Sequence, residues 1–127
     1  MHYVIIGNGV AGIEAALTIR ERYAPEDADI TVISKETDYF FSRTALMYAY
    51  MNQMSRRDLE PYERGSWDNQ HISLIRDEVT DLDADRKSIT LRDASPTTYD
   101  KLLLAVGSKA RRIPFDGIED AEDGVVH

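Results

Sequence analysis

Three glycines close to the start of the chain have the spacing of a phosphate-binding loop. Gly7, Gly9 and Gly12 lie in the segment YVIIGNGVAGIEAAL, between a short apolar run and a stretch of small residues. The first glycine allows a sharp exit from a strand, the second leaves room for a pyrophosphate, and the third permits close packing of helix on strand. Backbone N–H groups at the positive end of the helix would bind the phosphates. The loop from Gly7 to Gly12, including Val10 and Ala11, therefore predicts a dinucleotide site; the alternative is a tight strand–helix turn without a ligand.

A carboxylate follows at about the distance expected for a ribose ligand. Glu36 lies 24 residues after Gly12, where a second apolar run closes. A carboxylate in this place accepts hydrogen bonds from ribose hydroxyls and would repel a ribose 2′-phosphate. Glu36 therefore favours FAD or NAD over NADP at this site, the alternative being a solvated acid at the end of a strand.

A serine and an arginine that follow Glu36 in the sequence could both bind phosphate. Ser42 has the residue type that is favoured at a helix N-cap, and Arg43 follows it. Arginine forms strong charge-assisted hydrogen bonds with phosphate oxygens. The alternative is an ordinary helix start with an exposed arginine.

Composition excludes several other kinds of chemistry. The 127 residues contain no cysteine, so thiol redox chemistry and thiolate metal sites are ruled out for this segment. The three histidines are scattered, and we expect neither a metal site nor a hydrolytic triad. A net charge of −8 argues against nucleic acid. No apolar run is long enough for a membrane span, and no secretory signal is visible, so the cytoplasm is the expected location.

The elements around the glycines read as a βαβ unit. Apolar, β-branched residues 3–6 predict a buried strand, residues 10–23 have helical spacing, and residues 30–34 predict a second strand. A strand, a helix and a strand within this length predict parallel strands with a right-handed crossover. The fold class is therefore α/β, with a parallel sheet.

The rest of the chain predicts one more helix and three more strands. The polar stretch TDLDADRK, between the first two of these strands, reads as a turn in an antiparallel β excursion. The last strand reads as fully buried because LLLAV has no polar alternation. Pro61 and Gly65 read as breakers in a mixed polar segment. The predicted ranges are 43–54 for the helix, 72–79, 87–93 and 99–107 for the strands, and 109–127 for a terminal linker.

These segments together resemble the FAD-binding part of the pyridine nucleotide-disulphide oxidoreductase superfamily. The branch they resemble is that of the NADH-dependent ferredoxin and rubredoxin reductases, nitrite reductase and NADH dehydrogenase-like proteins. The resemblance rests on VIIGNGVAGIEAA, ITVISKE, YFFSRTALMYAYM and YDKLLLAVGSKARRIPFDGIE, in that order. The last segment resembles the family's Tyr-Asp, apolar strand and Ala-Thr-Gly pattern, which marks an FAD domain.

The resemblance implies a role for each candidate site residue. The glycine loop would hold the pyrophosphate of FAD, Glu36 the adenosine ribose, and Arg43 the phosphate side. Val79, expected at the end of a strand, would meet adenine through its backbone. A last group would approach the cofactor, namely Ala105, Val106 and Gly107.

Two departures from the family pattern narrow the branch. Val106 replaces the threonine of Ala-Thr-Gly, and Tyr48 stands where a lysine often lies near the flavin. Arg43 occupies about the position of the redox cysteine in single-cysteine oxidases, which disfavours that branch and the dithiol reductases.

The resemblance also implies that the chain is part of a longer enzyme. Residues 1–108 would form the first segment of a split FAD-binding domain, and 109–127 would lead to a missing NAD(P)H-binding domain. NAD(P)H would be the co-substrate of the parent. With a C-terminal segment also missing, LLLAV and TALMYAYM are expected to expose an apolar patch that promotes self-association. The alternatives are the NAD-binding domain of a dehydrogenase and a non-catalytic nucleotide-binding module.

Overall fold

A four-stranded parallel sheet forms the centre of the protein, in a computed structural model that describes residues 1–109. The strand order is β3-β2-β1-β7, and all three pairings are parallel. This confirms the predicted α/β class with a parallel sheet. The predicted linker lies outside the described residues except for Lys109. The strands are β1 His2–Ile6, β2 Asp29–Ser34, β3 Ile72–Arg76 and β7 Lys101–Leu104.

The helix α1, Val10–Arg22, connects β1 to β2 and completes the predicted βαβ unit. Its buried face consists of Gly12, Ile13 and Ala16, at the spacing of one helical stripe. The small residues let the helix lie close to the sheet.

A second, antiparallel sheet confirms the predicted β excursion but not its boundaries. The predicted strand 72–79 is interrupted at Asp77 and Glu78, and residues 80–83 belong to a strand instead of a turn. This part of the prediction is wrong because β4 is mostly exposed. Its polar sequence therefore lacks the apolar alternation by which a half-buried strand is recognised. The strands are β4 Val79–Asp83, β5 Ser88–Leu91 and β6 Thr97–Thr98.

Short helices replace the long predicted helix between β2 and β3. The predicted helix 43–54 consists of a 3₁₀ turn, Arg43–Ala45, and α2, Leu46–Tyr50. Another 3₁₀ turn, Arg57–Leu59, leads to α3, Gly65–Asn69, which the sequence did not predict. Gly65 begins this helix instead of breaking the structure.

Trp67 shows why α3 forms despite its polar sequence. Its indole is 3% exposed and joins the core of Ile5, Ile30 and Ile72. The ring of Tyr62 packs against it edge to face, with the ring centroids 5.4 Å apart. One large buried ring thus holds a five-residue helix that has little stability of its own.

The parallel sheet has a separate apolar core on each face. Ile5 of β1 packs with α1 and α3, whereas Val4 packs with Ile89 and Leu91 of the antiparallel sheet. Neighbouring strand residues point to opposite faces, which explains the uninterrupted apolar run in β1. The parallel sheet therefore lies between helices and a second sheet.

The strand β7 departs from the prediction of full burial. Leu103 is 41% exposed and Leu104 57% exposed. In residues 1–109 only β1 pairs with β7, so one edge of β7 stays open, and its exposed leucines lie on both faces of the sheet. Both segments that were expected to form the apolar patch do expose apolar side chains, since Leu46, Met47, Tyr48, Tyr50 and Met51 around α2 are exposed as well.

Candidate functional site

The glycine loop is closed tightly on its inner side, which faces β1 and β7. Gly7 has a φ of +113°, and a Cβ there would lie 2.1 Å from the carbonyl oxygen of Ala105. A Cβ on Gly12 would lie 1.9 Å from the carbonyl oxygen of Gly7. Both positions require glycine, the first for its backbone conformation as well and the second for the close approach of helix and strand.

The outer side of the same loop is open. Gly9 is the N-cap residue of α1, with ordinary backbone angles, and a Cβ built on it meets nothing within 4 Å. The N–H groups of Val10, Ala11 and Gly12 belong to the first helical turn and have no intrahelical acceptor, and Gly9 has no side chain that could cap them. The side chain of Val10 is 66% exposed. Open space thus faces a set of free donors at the positive helix end.

The segment after β7 lies directly beside the glycine loop. The N–H of Ala105 donates to the carbonyl oxygen of Ile6 at 2.8 Å, which continues the β1–β7 pairing to the edge of the loop. Val106 is exposed, and Gly107 has a φ of +68° with open space where a side chain would lie. The structure therefore brings Ala105, Val106 and Gly107 together with Gly7, about a hundred residues earlier.

A buried asparagine connects the glycine loop to the segment after β2. Asn8 is 8% exposed, and its side-chain N–H group donates to the carbonyl oxygen of Thr37 at 3.0 Å. Thr37 in turn donates its hydroxyl to the carbonyl oxygen of Tyr39. Sequence analysis missed this role, because asparagine between two glycines reads as a turn residue. Its effect is to hold Glu36 and the glycines in one part of the molecule.

Glu36 lies two residues beyond β2 and forms an ion pair with Arg43. The guanidinium nitrogen of Arg43 lies 2.5 Å from a carboxylate oxygen of Glu36, and both side chains are more than half exposed. The guanidinium also lies 5.2 Å from the ring centroid of Phe41. The structure thus brings the two predicted residues together, with their charges accessible to a ligand.

Ser42 has the predicted position but not the predicted bond. It precedes the 3₁₀ turn that starts at Arg43, yet its side chain makes no capping hydrogen bond. Its hydroxyl lies 3.1 Å from that of Thr44, while its N–H donates to the carbonyl oxygen of Leu59 at 2.7 Å. Ser42 therefore ties two loops together through its backbone.

Val79 begins β4, whereas it was expected at the end of a strand. Its side chain packs on the core with Val4 and Ile89. Glu78, just before it, lies 3.2 Å from Lys35, the neighbour of Glu36. This ion pair brings the start of β4 to the end of β2.

A cavity of about 560 Å³ opens beside Glu36, not at the glycine loop. Tyr39, Phe41 and Leu59 are among its apolar lining residues. Its other walls are mostly charged, and three of its four arginines face acids: Arg64 and Arg57 bind Glu60, and Arg76 lies 3.4 Å from Asp38. Arg64 holds the pKa of the Glu60 carboxyl below its usual range.

Two further features are absent from the part of the chain that the structure describes. Residues 1–109 contain no group of three or more His, Cys, Asp or Glu side chains arranged to hold a metal ion. No helix in the same range is long and apolar enough to cross a membrane.

The arrangement fits the adenosine and pyrophosphate half of a dinucleotide. Free donors at Val10 and Ala11 suit phosphate oxygens, and the carboxylate of Glu36 suits ribose hydroxyls. The open space at Gly9 is the place that a Cβ would fill. The predicted site residues include no buried acid or base.

Comparison with protein families gives one match over the whole chain. The family model described as "Pyridine nucleotide-disulphide oxidoreductase" matches residues 1–127. The rubredoxin-NAD(+) reductase of Pseudomonas putida is 31% identical over 121 residues, covering 94% of this chain and 31% of that protein. The ferredoxin–NAD(+) reductase subunit of a benzene 1,2-dioxygenase system, also from Pseudomonas putida, is 33% identical over 118 residues, covering 91% and 28%.

Solved structures of reductases also match most of this chain and less than a third of their own length. The covalent putidaredoxin reductase–putidaredoxin complex contains a chain that matches with a TM-score of 0.79 and 28% identity, covering 89% of this chain and 27% of that one. The NADH:rubredoxin oxidoreductase of Clostridium acetobutylicum matches with a TM-score of 0.76 and 26% identity, covering 89% and 29%. The chain thus spans about 30% of the length of the curated relatives it matches.

Proposed function

Because this chain belongs to the pyridine nucleotide-disulphide oxidoreductase family, we propose that it is the N-terminal FAD-binding segment of an NAD(P)H-dependent flavoprotein oxidoreductase. When bound, FAD supplies the two-electron chemistry that connects NAD(P)H to an electron acceptor. Several relatives are named for ferredoxin or rubredoxin, so the proposed acceptor of the parent enzyme is a small redox protein of that kind.

The proposal assigns binding tasks to this chain and leaves the hydride transfer to the whole enzyme. The N–H groups of Val10, Ala11 and Gly12 would bind the pyrophosphate, and Glu36 the adenosine ribose. Arg43 would lie near the phosphates, because an arginine fork matches phosphate oxygens. The start of β4 at Val79 would border adenine, and Ala105, Val106 and Gly107 would face the cofactor beyond the glycine loop.

One observation carries this proposal above all, the contrast between Gly9 and its neighbouring glycines. Packing inside the protein explains why Gly7 and Gly12 have no side chain, since a Cβ on either would strike backbone. Within residues 1–109 no packing contact explains Gly9, which faces open space beside donors that have no acceptor in the same range. A ligand that needs this space accounts for the residue.

The test is Gly9→Val in the 127-residue chain, followed by titration with FAD and with ADP. Amide chemical shifts of the glycine loop report binding even when it is weak. We expect the variant to fold like the wild type and to lose affinity by about a hundredfold or more, because pyrophosphate contacts are lost as a group.

Gly65→Val is the matched control. A Cβ on Gly65 also meets nothing within 4 Å, but the residue lies at the start of α3, apart from the glycine loop. This variant should keep the wild-type affinity. Unchanged FAD and ADP affinity in Gly9→Val would refute the proposed site, and a wild-type chain that binds neither nucleotide would refute the proposed function.

A further inference from the structure

We propose that Asp77 is a positioning residue for the adenosine end of the site, where its carboxylate clamps the junction between the parallel and antiparallel sheets beside Glu36. The inference rests on the proposed function, which assigns the adenosine contacts to Glu36 and Val79. Asp77 itself would not touch the ligand.

The contacts of Asp77 come from three segments of the chain. Its own N–H donates to the carbonyl oxygen of Ser34 at 3.0 Å, which attaches it to the end of β2. One carboxylate oxygen accepts the N–H of Glu78 at 2.7 Å. The other accepts the N–H groups of Ala94 at 2.8 Å and Asp93 at 3.2 Å, beyond β5. The residue therefore fixes where the end of β2, the start of β4 and the exit from β5 meet.

A buried carboxylate at this place needs an explanation. Asp77 is 6% exposed, and burying an anion is costly unless hydrogen bonds replace its water. Here the replacement comes from backbone N–H groups; that of Ala94 contributes most to holding the pKa of the Asp77 carboxyl below its ordinary value. Asp77 consequently stays charged at neutral pH, and its carboxylate holds the backbone N–H groups of Glu78, Asp93 and Ala94 in place.

The clamp acts on both sides of Glu36. On one side, the hydroxyl oxygen of Ser34 accepts the N–H of Glu36 at 3.3 Å, so the residue attached to Asp77 also orients Glu36. On the other side, Glu78 pairs with Lys35 at 3.2 Å. Moving Asp77 would shift the start of β4 relative to the end of β2, and with it the proposed ribose and adenine contacts.

The decisive variant is Asp77→Asn, which keeps the shape and removes the charge. An amide offers one acceptor oxygen, and its NH₂ group would face a backbone N–H where the second carboxylate oxygen now accepts. We expect the affinities for FAD and ADP to fall by a similar factor of about ten, because lost hydrogen bonds to a charged group are only partly transmitted to the ligand. Titrations followed by amide chemical shifts measure both, at a temperature where the variant is folded.

A matched loss of stability separates positioning from a general structural role. Ile72 is buried in the core on the opposite face of the parallel sheet, and Ile72→Val and Ile72→Ala give a graded loss of thermal stability without touching the clamp. The core variant whose Tm matches that of Asp77→Asn should keep the wild-type affinities. Equal weakening in both, or wild-type affinity in Asp77→Asn, would overturn the proposal.

A second variant decides the matter if Asp77→Asn does not fold. Glu78→Gln leaves the Asp77 carboxylate in place and breaks the ion pairs of Glu78 with Lys35 and Arg92. We expect about a threefold loss of ADP affinity, since partly exposed ion pairs contribute little. Unchanged affinity would overturn the proposal. Failure of the proposed function itself would be distinguished by a wild-type chain that binds neither ADP nor FAD.

Discussion

The inner and outer sides of the glycine loop use the same residue type for opposite reasons. On the inner side, Gly7 and Gly12 lie so close to backbone carbonyl oxygens that no side chain fits. On the outer side, Gly9 faces open space, and its neighbour Val10 is exposed. The glycines of one motif thus divide into two that permit close packing and one that borders the proposed ligand space.

The two sides should therefore respond differently to mutation. Contacts on the inner side join β1, α1 and β7, so changes there alter the free energy of unfolding. With the outer side we group the exposed residues of the proposed ligand site, such as Glu36 and Arg43, whose side chains are more than half exposed. Changes there should alter ligand affinity and leave stability nearly intact.

The largest effect is expected for Gly12→Ala on the inner side. A Cβ 1.9 Å from the carbonyl oxygen of Gly7 forces α1 away from β1, at a cost of about 3 kcal/mol or more. In a domain of this size the loss corresponds to a fall in Tm of roughly 10–20 °C. Thermal denaturation followed by circular dichroism measures it, with Gly65→Ala as the control at an open position. A Tm close to that of the wild type would show that the inner side is not closed.

The second effect is expected for Glu36→Ala on the outer side. Losing charge-assisted hydrogen bonds to ribose should cost roughly 1.5–3 kcal/mol of binding free energy. The dissociation constant for FAD should rise about ten- to a hundredfold. Glu63→Ala is the control, since it removes an acid that is almost fully exposed and lies outside the proposed contacts. If Glu36→Ala binds FAD as well as the wild type does, Glu36 is an ordinary surface acid.

The third effect concerns the open edge of the parallel sheet at β7, apart from the glycine loop. If the apolar patch promotes self-association, Leu104→Lys should weaken it at least about tenfold, because burying a leucine contributes roughly 1.5–3 kcal/mol. Light scattering across a concentration series measures the change. Leu82→Lys on β4 is the matched control, as Leu82 is also an exposed leucine but lies in the antiparallel sheet. Equal behaviour of the two variants would exclude β7 as the associating surface.

The smallest effect is expected for the stability of Arg43→Gln. The ion pair with Glu36 is exposed on both sides, and such pairs contribute about 0–1 kcal/mol. Urea denaturation should therefore give a nearly unchanged midpoint, at low and at high salt. A loss of several kcal/mol would contradict the separation of the two sides, because it would make an outer-side residue important for folding.

Much of the fold follows from local sequence patterns. The glycine spacing, the apolar run in β1 and the helical stripe of α1 predicted the βαβ unit and its parallel pairing correctly. Each of these signals lies within a few residues of the structure it specifies. The individual roles in binding FAD stay predictions. Contacts within the protein do not show which atoms of FAD Glu36, Arg43 and Val79 would meet.

Other features could not be predicted because their cause lies far away in the chain. The helix α3 forms around Trp67, whose partners belong to β1, β2 and β3. The polar residues of β4 form a strand because β5 supplies their hydrogen bonds. Such segments have only a weak intrinsic preference for helix or strand, so tertiary contacts decide which of the two they form.

The sequence by itself determined the glycine loop. The positive φ at Gly7 and the close backbone contacts at Gly7 and Gly12 leave no room for a side chain, so the spacing of the glycines specifies the turn. Only the tertiary structure decided what surrounds that loop. It brought Ala105 against Gly7, tied Asn8 to Thr37, and used Asp77 to join three segments. It also left the leucines of β7 exposed. An apolar run indicates that a strand can be buried, but the neighbouring elements determine whether it is.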